Sequence, residues 1–201
     1  MRDLMCIKPK AIMLLLVGIL FASSVSASVN VFADLDDIAK DKRISFRTAK
    51  QEIQELIEGI ADPIRIKSII LRSSDRAKLC YTCEQKDIYE RYDEAIFLGM
   101  CRLVQMNTAE SIRQLVDLIS YDLGVSNNEI LGQRITEIGG PALLHMKTKL
   151  RELRKKEKTG NQESKQSASK KIRLIEGYIN YIKKGKKIDA GVGPCFTRGK
   201  D

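Results

Sequence analysis

The stretch QKDIYERYDEAIFLGMCRLVQM, from Gln85 to Met106, decides the fold class of this chain. No proline interrupts it, and its apolar or small residues recur every three or four positions among polar ones. That spacing places the apolar residues on one face of an α-helix. The predicted buried face consists of Ile88, Tyr92, Ala95, Ile96, Gly99, Leu103 and Val104.

Helical patterns continue on both sides of this segment. Ser45 is placed to cap a helix that runs to about Glu58 and stops at Gly59. Asp62 and Pro63 supply the cap and the first-turn proline of the next helix. Thr108 is placed to cap a helix from Ala109 to Tyr121. Further helices are predicted from Asn127 to Ile138, from Ala142 to about Lys158 and from Lys170 to Lys184.

The composition favours the same fold class. The 201 residues include no Trp, five Phe, six Tyr and only four Pro. Few chain breakers and few aromatic residues, beside abundant Ile, Leu, Lys, Glu, Gln and Arg, suit helices rather than sheets. The sequence therefore predicts an all-α protein of stacked antiparallel helix pairs, with a basic C-terminal helical hairpin.

The N-terminus reads as an export signal. Basic residues precede an apolar run from Ala11 to Ala22, and small residues follow at Val25 and Ala27, as a signal peptidase requires. The run is shorter than the roughly 20 residues that span a bilayer, which argues against the alternative of an uncleaved membrane anchor. We expect cleavage after residue 27 to leave Ser28 first, in a periplasmic or secreted protein whose mature part holds no transmembrane segment.

Four regions are predicted after the signal. Residues 28–158 form a helical, repeat-like domain, and residues 159–169 (TGNQESKQSAS) are a polar linker or turn because they hold no large apolar side chain. Residues 170–184 form a basic amphipathic helix, and residues 185–201 form a Gly/Lys-rich tail.

Two stretches are similar to each other at an offset of 33 residues. Leu98 and Gly99 align with Leu131 and Gly132, and Ala109 aligns with Ala142. The segment LGQRITEIGGPALLHM, residues 131–146, resembles HEAT-type helical repeats, and the resemblance covers about half of the mature chain. It implies a short solenoid that binds other macromolecules along an extended face and performs no chemistry. An irregular helical bundle gives the same leucine and alanine spacing and stays open as the alternative.

The mature chain retains four cysteines, which are candidates for structural disulfides in an oxidising compartment. Cys80 and Cys83 lie in the segment from Ser73 to Glu84, which we interpret as an irregular connection. The preferred pairing joins Cys80 or Cys83 to Cys101, and Cys195 then tethers the tail to the remaining cysteine.

Cys80 and Cys83 also form a CxxC motif, which keeps thiol-redox and zinc functions open as alternatives. A thioredoxin-like site needs a βαβ setting, which the sequence lacks. Covalent haem attachment needs His where Glu84 stands. A zinc site would need His145 or the other two cysteines as further ligands, and no second pair stands at ligand spacing. No cofactor and no metal are predicted.

No residue set in the sequence supports catalysis. His145 is the single histidine, so every Ser-His or Cys-His mechanism would depend on it, and it lies in the apolar run from Ala142 to Met146. The phosphate-loop, dinucleotide-binding, zinc-protease and nucleophile-elbow patterns are not present in the sequence. We therefore expect a protein that is not an enzyme.

Charge is concentrated near the C-terminus. Residues 28–145 carry 15 Lys and Arg against 19 Asp and Glu, whereas residues 146–187 carry 15 against 4. This segment is predicted to meet an anionic envelope surface or an acidic partner, and nucleic acid is disfavoured because stacking aromatics are scarce there. The candidate binding residues are Lys147, Arg151, Arg154, Lys155, Lys158, Lys170, Lys171 and Arg173.

These patterns predict an exported, non-enzymatic helical scaffold or protein-interaction module, stabilised by disulfides, with an unidentified protein partner. The alternatives are a thiol-redox or metal-binding protein that uses the CxxC motif and a protein that binds the envelope surface through its basic segment.

Overall fold

The computed structural model describes residues 31–83, 85–193 and 195. The predicted signal peptide, residues 1–27, lies outside the described residues. The chain divides into two compact units, residues 1–41 and residues 42–201. In the described part of the first unit, residues 31–40 form helix α1, whose buried residues include Leu35 and Ala39.

All the regular secondary structure in the described residues of the second unit is helical, which confirms the all-α class. Its elements are α2 (Phe46–Glu58), α3 (Pro63–Thr82), α4 (Lys86–Met106), α5 (Ala109–Asp117), a 3-10 turn (Leu118–Ser120), α6 (Val125–Ile138), α7 (Gly140–Thr159) and α8 (Gln162–Lys183). No helix within the described residues is long and apolar enough to cross a membrane.

Three of the predicted helix starts are confirmed at atomic detail. The Thr48 backbone N–H donates to Ser45 Oγ at 3.1 Å, and the Ile64 N–H donates to Asp62 Oδ1 at 2.9 Å. Thr108 caps α5. Each cap satisfies a backbone donor that the first turn leaves without an intrahelical acceptor.

Helix α4 is the centre of the second unit. It packs against α2, α3, α5 and α6, and the hairpin of α7 and α8 packs on α5 and α6. The side chains that α4 buries completely are large ones: Tyr92, Ile96, Met100 and Leu103. This helix is the segment from which the fold class was predicted.

The irregular connection predicted from Ser73 to Glu84 is wrong, because α3 continues to Thr82. Ser73, Ala77 and Cys80 recur at helical spacing and are buried. They are too small or too polar to read as an apolar stripe, yet small side chains suit a face that lies close to α4.

The polar linker predicted for residues 159–169 is also wrong, because α8 begins at Gln162 and the turn is only Gly160 and Asn161. Asn161 Oδ1 accepts from the Ser164 N–H at 2.9 Å and caps the helix. Large apolar residues are lacking because this end of α8 is almost entirely exposed. The predicted basic helical hairpin is therefore longer than expected.

Helices α6 and α8 meet closely at a glycine. A Cβ atom at Gly132 would lie 2.6 Å from the hydroxyl oxygen of Tyr178, a buried residue whose pKa burial raises to about 12, with Glu129 adding to the effect. Gly177, one residue earlier on α8, has open space around its Cα.

We expect Gly132→Ala to lower the free energy of unfolding by about 1–3 kcal/mol, because the new methyl group forces the Tyr178 ring to move. Gly177→Ala is the matched control and should be neutral or stabilising by up to about 1 kcal/mol, through better helix propensity. Urea unfolding followed by circular dichroism measures both. Equal effects of the two substitutions would contradict the close contact.

Candidate functional site

One disulfide joins the tail to the helical core. Cys101, buried in α4, bonds to Cys195, and their Cα atoms lie 5.1 Å apart across a sequence separation of 94 residues. A disulfide that tethers the tail was predicted, but the preferred pairing is wrong. Cys80 and Cys83 lie at the C-terminal end of α3. Cys101 lies about 20 Å along α4 from Lys86, the first residue of that helix, and so is far from both.

The tail returns along α6 before it reaches the disulfide. The N–H of Ile188 donates to Thr136 Oγ1 at 3.1 Å, and the N–H of Ala190 donates to Gln133 Oε1 at 3.0 Å. Gln133 Nε2 donates to the carbonyl of Val192 at 3.2 Å. We name residues 186–193 and 195 the tail strap, since hydrogen bonds of its backbone and one covalent bond hold it on the core.

A buried arginine lies beneath the tail strap. Arg134 is 0% exposed, and its Nη1 donates to both carboxylate oxygens of Glu137 at 3.0 and 2.9 Å. Its Nη2 donates to the carbonyl of Gly193 at 2.7 Å, and its guanidinium carbon lies 5.5 Å from the centre of the Phe97 ring. A buried charge is tolerated only with such partners, so the strap is part of the folded unit.

The CxxC motif lies at the C-terminal end of a helix. Cys80 is buried within α3, and Cys83 is the exposed C-cap residue. Reactive CxxC pairs use a helix N-terminus, whose positive dipole favours the thiolate, so the redox alternative has no support from this location. His145 is half-buried on α7. In the described part of the chain, no three His, Cys, Asp or Glu residues cluster as metal ligands.

A concave surface lies between α3, α4 and the start of α6, with a cavity volume of about 520 Å³. We name it the aromatic groove, after the rings of Tyr81 and Tyr89, whose centres lie 5.8 Å apart. Tyr81 is 74% exposed, and Val125 on the facing wall is 79% exposed. The groove therefore presents large apolar side chains to solvent.

The floor of the aromatic groove is held by hydrogen bonds. Asn127 Nδ2 donates to Asp93 Oδ1 at 2.7 Å and to the carbonyl of Leu123 at 3.2 Å. Partial burial, with Asp93 as the next cause, raises the pKa of the Tyr89 phenol. Asn127 is itself buried, so α4 and α6 are fixed relative to each other here.

The predicted anionic-partner residues do not behave alike. Arg154 Nη2 pairs with Glu176 Oε1 at 2.8 Å across the hairpin. Lys171 is half-buried and donates to the carbonyl of Ser120. The others are exposed on α7 and α8: Lys147, Arg151, Lys155, Lys158, Lys170 and Arg173.

One carboxylate joins three helices, which the sequence did not indicate. Asp117 of α5 accepts from Lys149 of α7 at 2.6 Å and from Lys67 of α3 at 3.2 Å. Burial alone would raise the pKa of Asp117, but the hydrogen bonds and charges of the two lysines outweigh burial and leave that pKa below its ordinary value. Lys149 belongs to the segment that the sequence marks as basic, whereas no local pattern singles out Lys67.

We expect Asp117→Asn to lower the free energy of unfolding by about 1–2 kcal/mol at neutral pH, because two half-buried ammonium groups lose their counter-charge. Since the folded-state pKa is depressed, this contribution is present above the ordinary carboxyl pKa near 4 and is lost as the pH falls through the lower folded value. Unfolding measured from pH 7 to pH 2 should show the variant and the wild type converging in acid. A difference independent of pH would contradict this assignment.

Comparisons with known proteins yield one partial similarity. No family model matches the chain, and no solved structure matches it. The chain is similar to the ATP-dependent DNA helicase mph1 of two Aspergillus fumigatus strains, with 29% identity over 100 residues, or 49% of this chain. The chain spans only 9% of the length of these relatives, so the similarity concerns a small part of each helicase.

Proposed function

We propose that this protein is an exported, non-enzymatic helical scaffold that binds a protein partner through the aromatic groove. A disulfide across a sequence separation of 94 residues supports localisation in an oxidising compartment, where such bonds persist. The apolar run and small residues before Ser28 support export by a cleaved signal. HEAT-like stacking of helix pairs belongs to this proposal, and it is supported by Gly99 and Gly132, which stand 33 residues apart and each touch another helix closely.

The exposure of Tyr81 and Val125 is the observation that carries the proposal. A Tyr and a Val that are 74% and 79% exposed on the two walls of one groove leave apolar surface in water that a partner would cover. Tyrosine is enriched among the residues that dominate binding energy at protein interfaces. The hydrogen-bonded floor at Asn127 and Asp93 keeps the groove open without a partner, so binding would cost little ordering of the groove.

The test is photo-crosslinking in the native exported fraction. A photo-crosslinking amino acid in place of Tyr81 should give one dominant protein adduct, and the same probe in place of Leu144, which is also exposed but lies on α7, should give none. Tyr81→Ser combined with Val125→Ser should lower recovery of that adduct's protein at least about tenfold in pull-downs, as loss of a binding hot spot does.

Leu144→Ser is the matched control for the double variant and should leave recovery unchanged. Tyr81, Val125 and Leu144 are all exposed, so neither variant should alter the fold. Equal adducts at Tyr81 and Leu144, or no adduct at Tyr81, would overturn the groove as the binding surface.

A further inference from the structure

We propose that a second pocket, formed by α7, α8 and the 3-10 turn, binds a small molecule that carries a phosphate or sulfate group, held by Lys156 and Lys171. The pocket lies within the second unit and is separate from the aromatic groove, so this inference does not depend on the proposed partner. Its cavity volume is about 670 Å³, within the range of small-molecule sites. The residues that matter on its walls are Ser120, Lys156, Glu163, Ser164, Ser167 and Lys171.

Two ammonium groups share this pocket without a carboxylate partner. Lys171 donates to the backbone carbonyl of Ser120, and no ion pair to Lys156 or Lys171 is formed by any residue that the structure describes. Lys149, which is also half-buried on the hairpin, differs because it pairs with the carboxylate of Asp117. The pocket is therefore the place where the basic hairpin keeps uncompensated charge in a concave site.

The electrostatics of Lys171 agree with this geometry. Burial first, and then the charges of Lys156 and Lys149, lower the pKa of Lys171, while Asp122 acts in the opposite direction. The repulsion between such like charges is reduced when an anion binds between them. An anion at the pocket mouth would thus be attracted by Lys156 and Lys171 together.

Neutral donors are available beside the charges. Ser164 and Ser167 line the same wall on α8, and the hydroxyl oxygen of Ser120 is buried without a hydrogen-bond partner among the described residues. The wall is built from the first turns of α8, whose backbone N–H groups favour negative charge. Hydroxyl, ammonium and helix N–H donors together suit the several oxygens of a phosphate or sulfate group.

Glu163 is the one carboxylate on these walls, and it makes the proposal sharper. It lies exposed in the first turn of α8 and opposes an incoming anion. Removing its charge should therefore strengthen binding, whereas removing a lysine charge should weaken it. A general attraction of anions to the basic surface would not depend on whether the altered residue lines the pocket.

The test is an isothermal calorimetric titration of the disulfide-bonded mature protein with pyrophosphate. The ionic strength is fixed at about 0.1 M, at which long-range attraction to the surface is screened. We expect saturable one-to-one binding with a Kd below about 1 mM. Lys171→Gln should weaken binding at least about tenfold, and Glu163→Gln should tighten it about threefold. Lys156→Gln, at an exposed position that cannot disturb the fold, should weaken binding even if Lys171→Gln fails to fold.

Lys158→Gln is the matched control, since Lys158 lies on α7 beside Lys156 in sequence but does not line the pocket, and it should leave the Kd unchanged within twofold. Two results would overturn the proposal. One is the absence of saturable binding to the wild type. The other is an equal loss of pyrophosphate affinity for Lys158→Gln and Lys156→Gln, together with an equal loss of binding to vesicles of anionic lipid. That result would assign the binding to the whole basic surface.

Discussion

Cys195→Ser should lower the free energy of unfolding by about 3–4 kcal/mol, because the disulfide closes a loop of 94 residues and strongly restricts the unfolded chain. The tail strap should also leave α6, since three of its backbone hydrogen bonds to Gln133 and Thr136 then lack covalent support. Denaturant unfolding measures the first effect, and faster hydrogen exchange at the amides of Ile188 and Ala190 measures the second.

Cys83→Ser is the control for this substitution. Cys83 is exposed and lies outside the disulfide, so its replacement should change the free energy of unfolding by less than about 0.5 kcal/mol. If Cys195→Ser and Cys83→Ser have the same small effect, the tail strap does not stabilise the fold.

The second large effect is expected at the ion pair between buried Arg134 and half-buried Glu137. Glu137→Ala removes the carboxylate that accepts two hydrogen bonds from Arg134, and it leaves a guanidinium that is 0% exposed with the Gly193 carbonyl as its main acceptor. We expect a loss of about 3–5 kcal/mol, since removing one partner leaves an uncompensated charge inside the protein.

Glu176→Ala is a close control, because it breaks an Arg–Glu pair of almost the same length. Arg154 and Glu176 lie 2.8 Å apart, as against 2.9 Å for Arg134 and Glu137, but both partners are exposed. Exposed pairs contribute up to about 1 kcal/mol, so the two losses should differ severalfold in thermal or urea unfolding. Similar losses would mean that Arg134 is not buried as described.

Local signals allowed the helices to be predicted, because helix caps and apolar spacing are properties of short segments. Ser45, Asp62 and Thr108 each make the cap expected of them. Five of the seven residues of the face predicted for the segment from Gln85 to Met106 are buried, whereas Ile88 and Val104 are half-buried. These features depend on residues within one or two helical turns, so no knowledge of the tertiary structure was needed.

The errors arose where a helix face holds neither large apolar residues nor a breaker. Ser73, Ala77 and Cys80 are buried in α3 although their side chains are small, and residues 162–169 are helical although almost all of them are exposed. The spacing of large apolar residues gives no helical pattern in either segment. The same error produced the wrong disulfide, because an irregular segment from Ser73 to Glu84 would have allowed Cys80 or Cys83 to reach Cys101.

The candidate sites depend on contacts between distant segments, and the sequence could not reveal them. Lys171 stood among eight candidate basic residues, and only the packing of α8 on the 3-10 turn separates it from the exposed ones. Arg134 is buried beneath the tail strap, a contact between distant segments that no local pattern reveals. Tyr81 belonged to the CxxC segment, and its place in a groove depends on α6.

The most direct test of the account is disulfide mapping of the mature protein isolated from its native exported fraction, with thiols blocked before digestion and peptides identified by mass without reduction. We expect an N-terminus at Ser28, one peptide pair that joins Cys101 to Cys195, and a blocked thiol at Cys83. A Cys101 linked to Cys80 or Cys83, or a Cys195 blocked as a thiol in a chain that still begins at Met1, would contradict it.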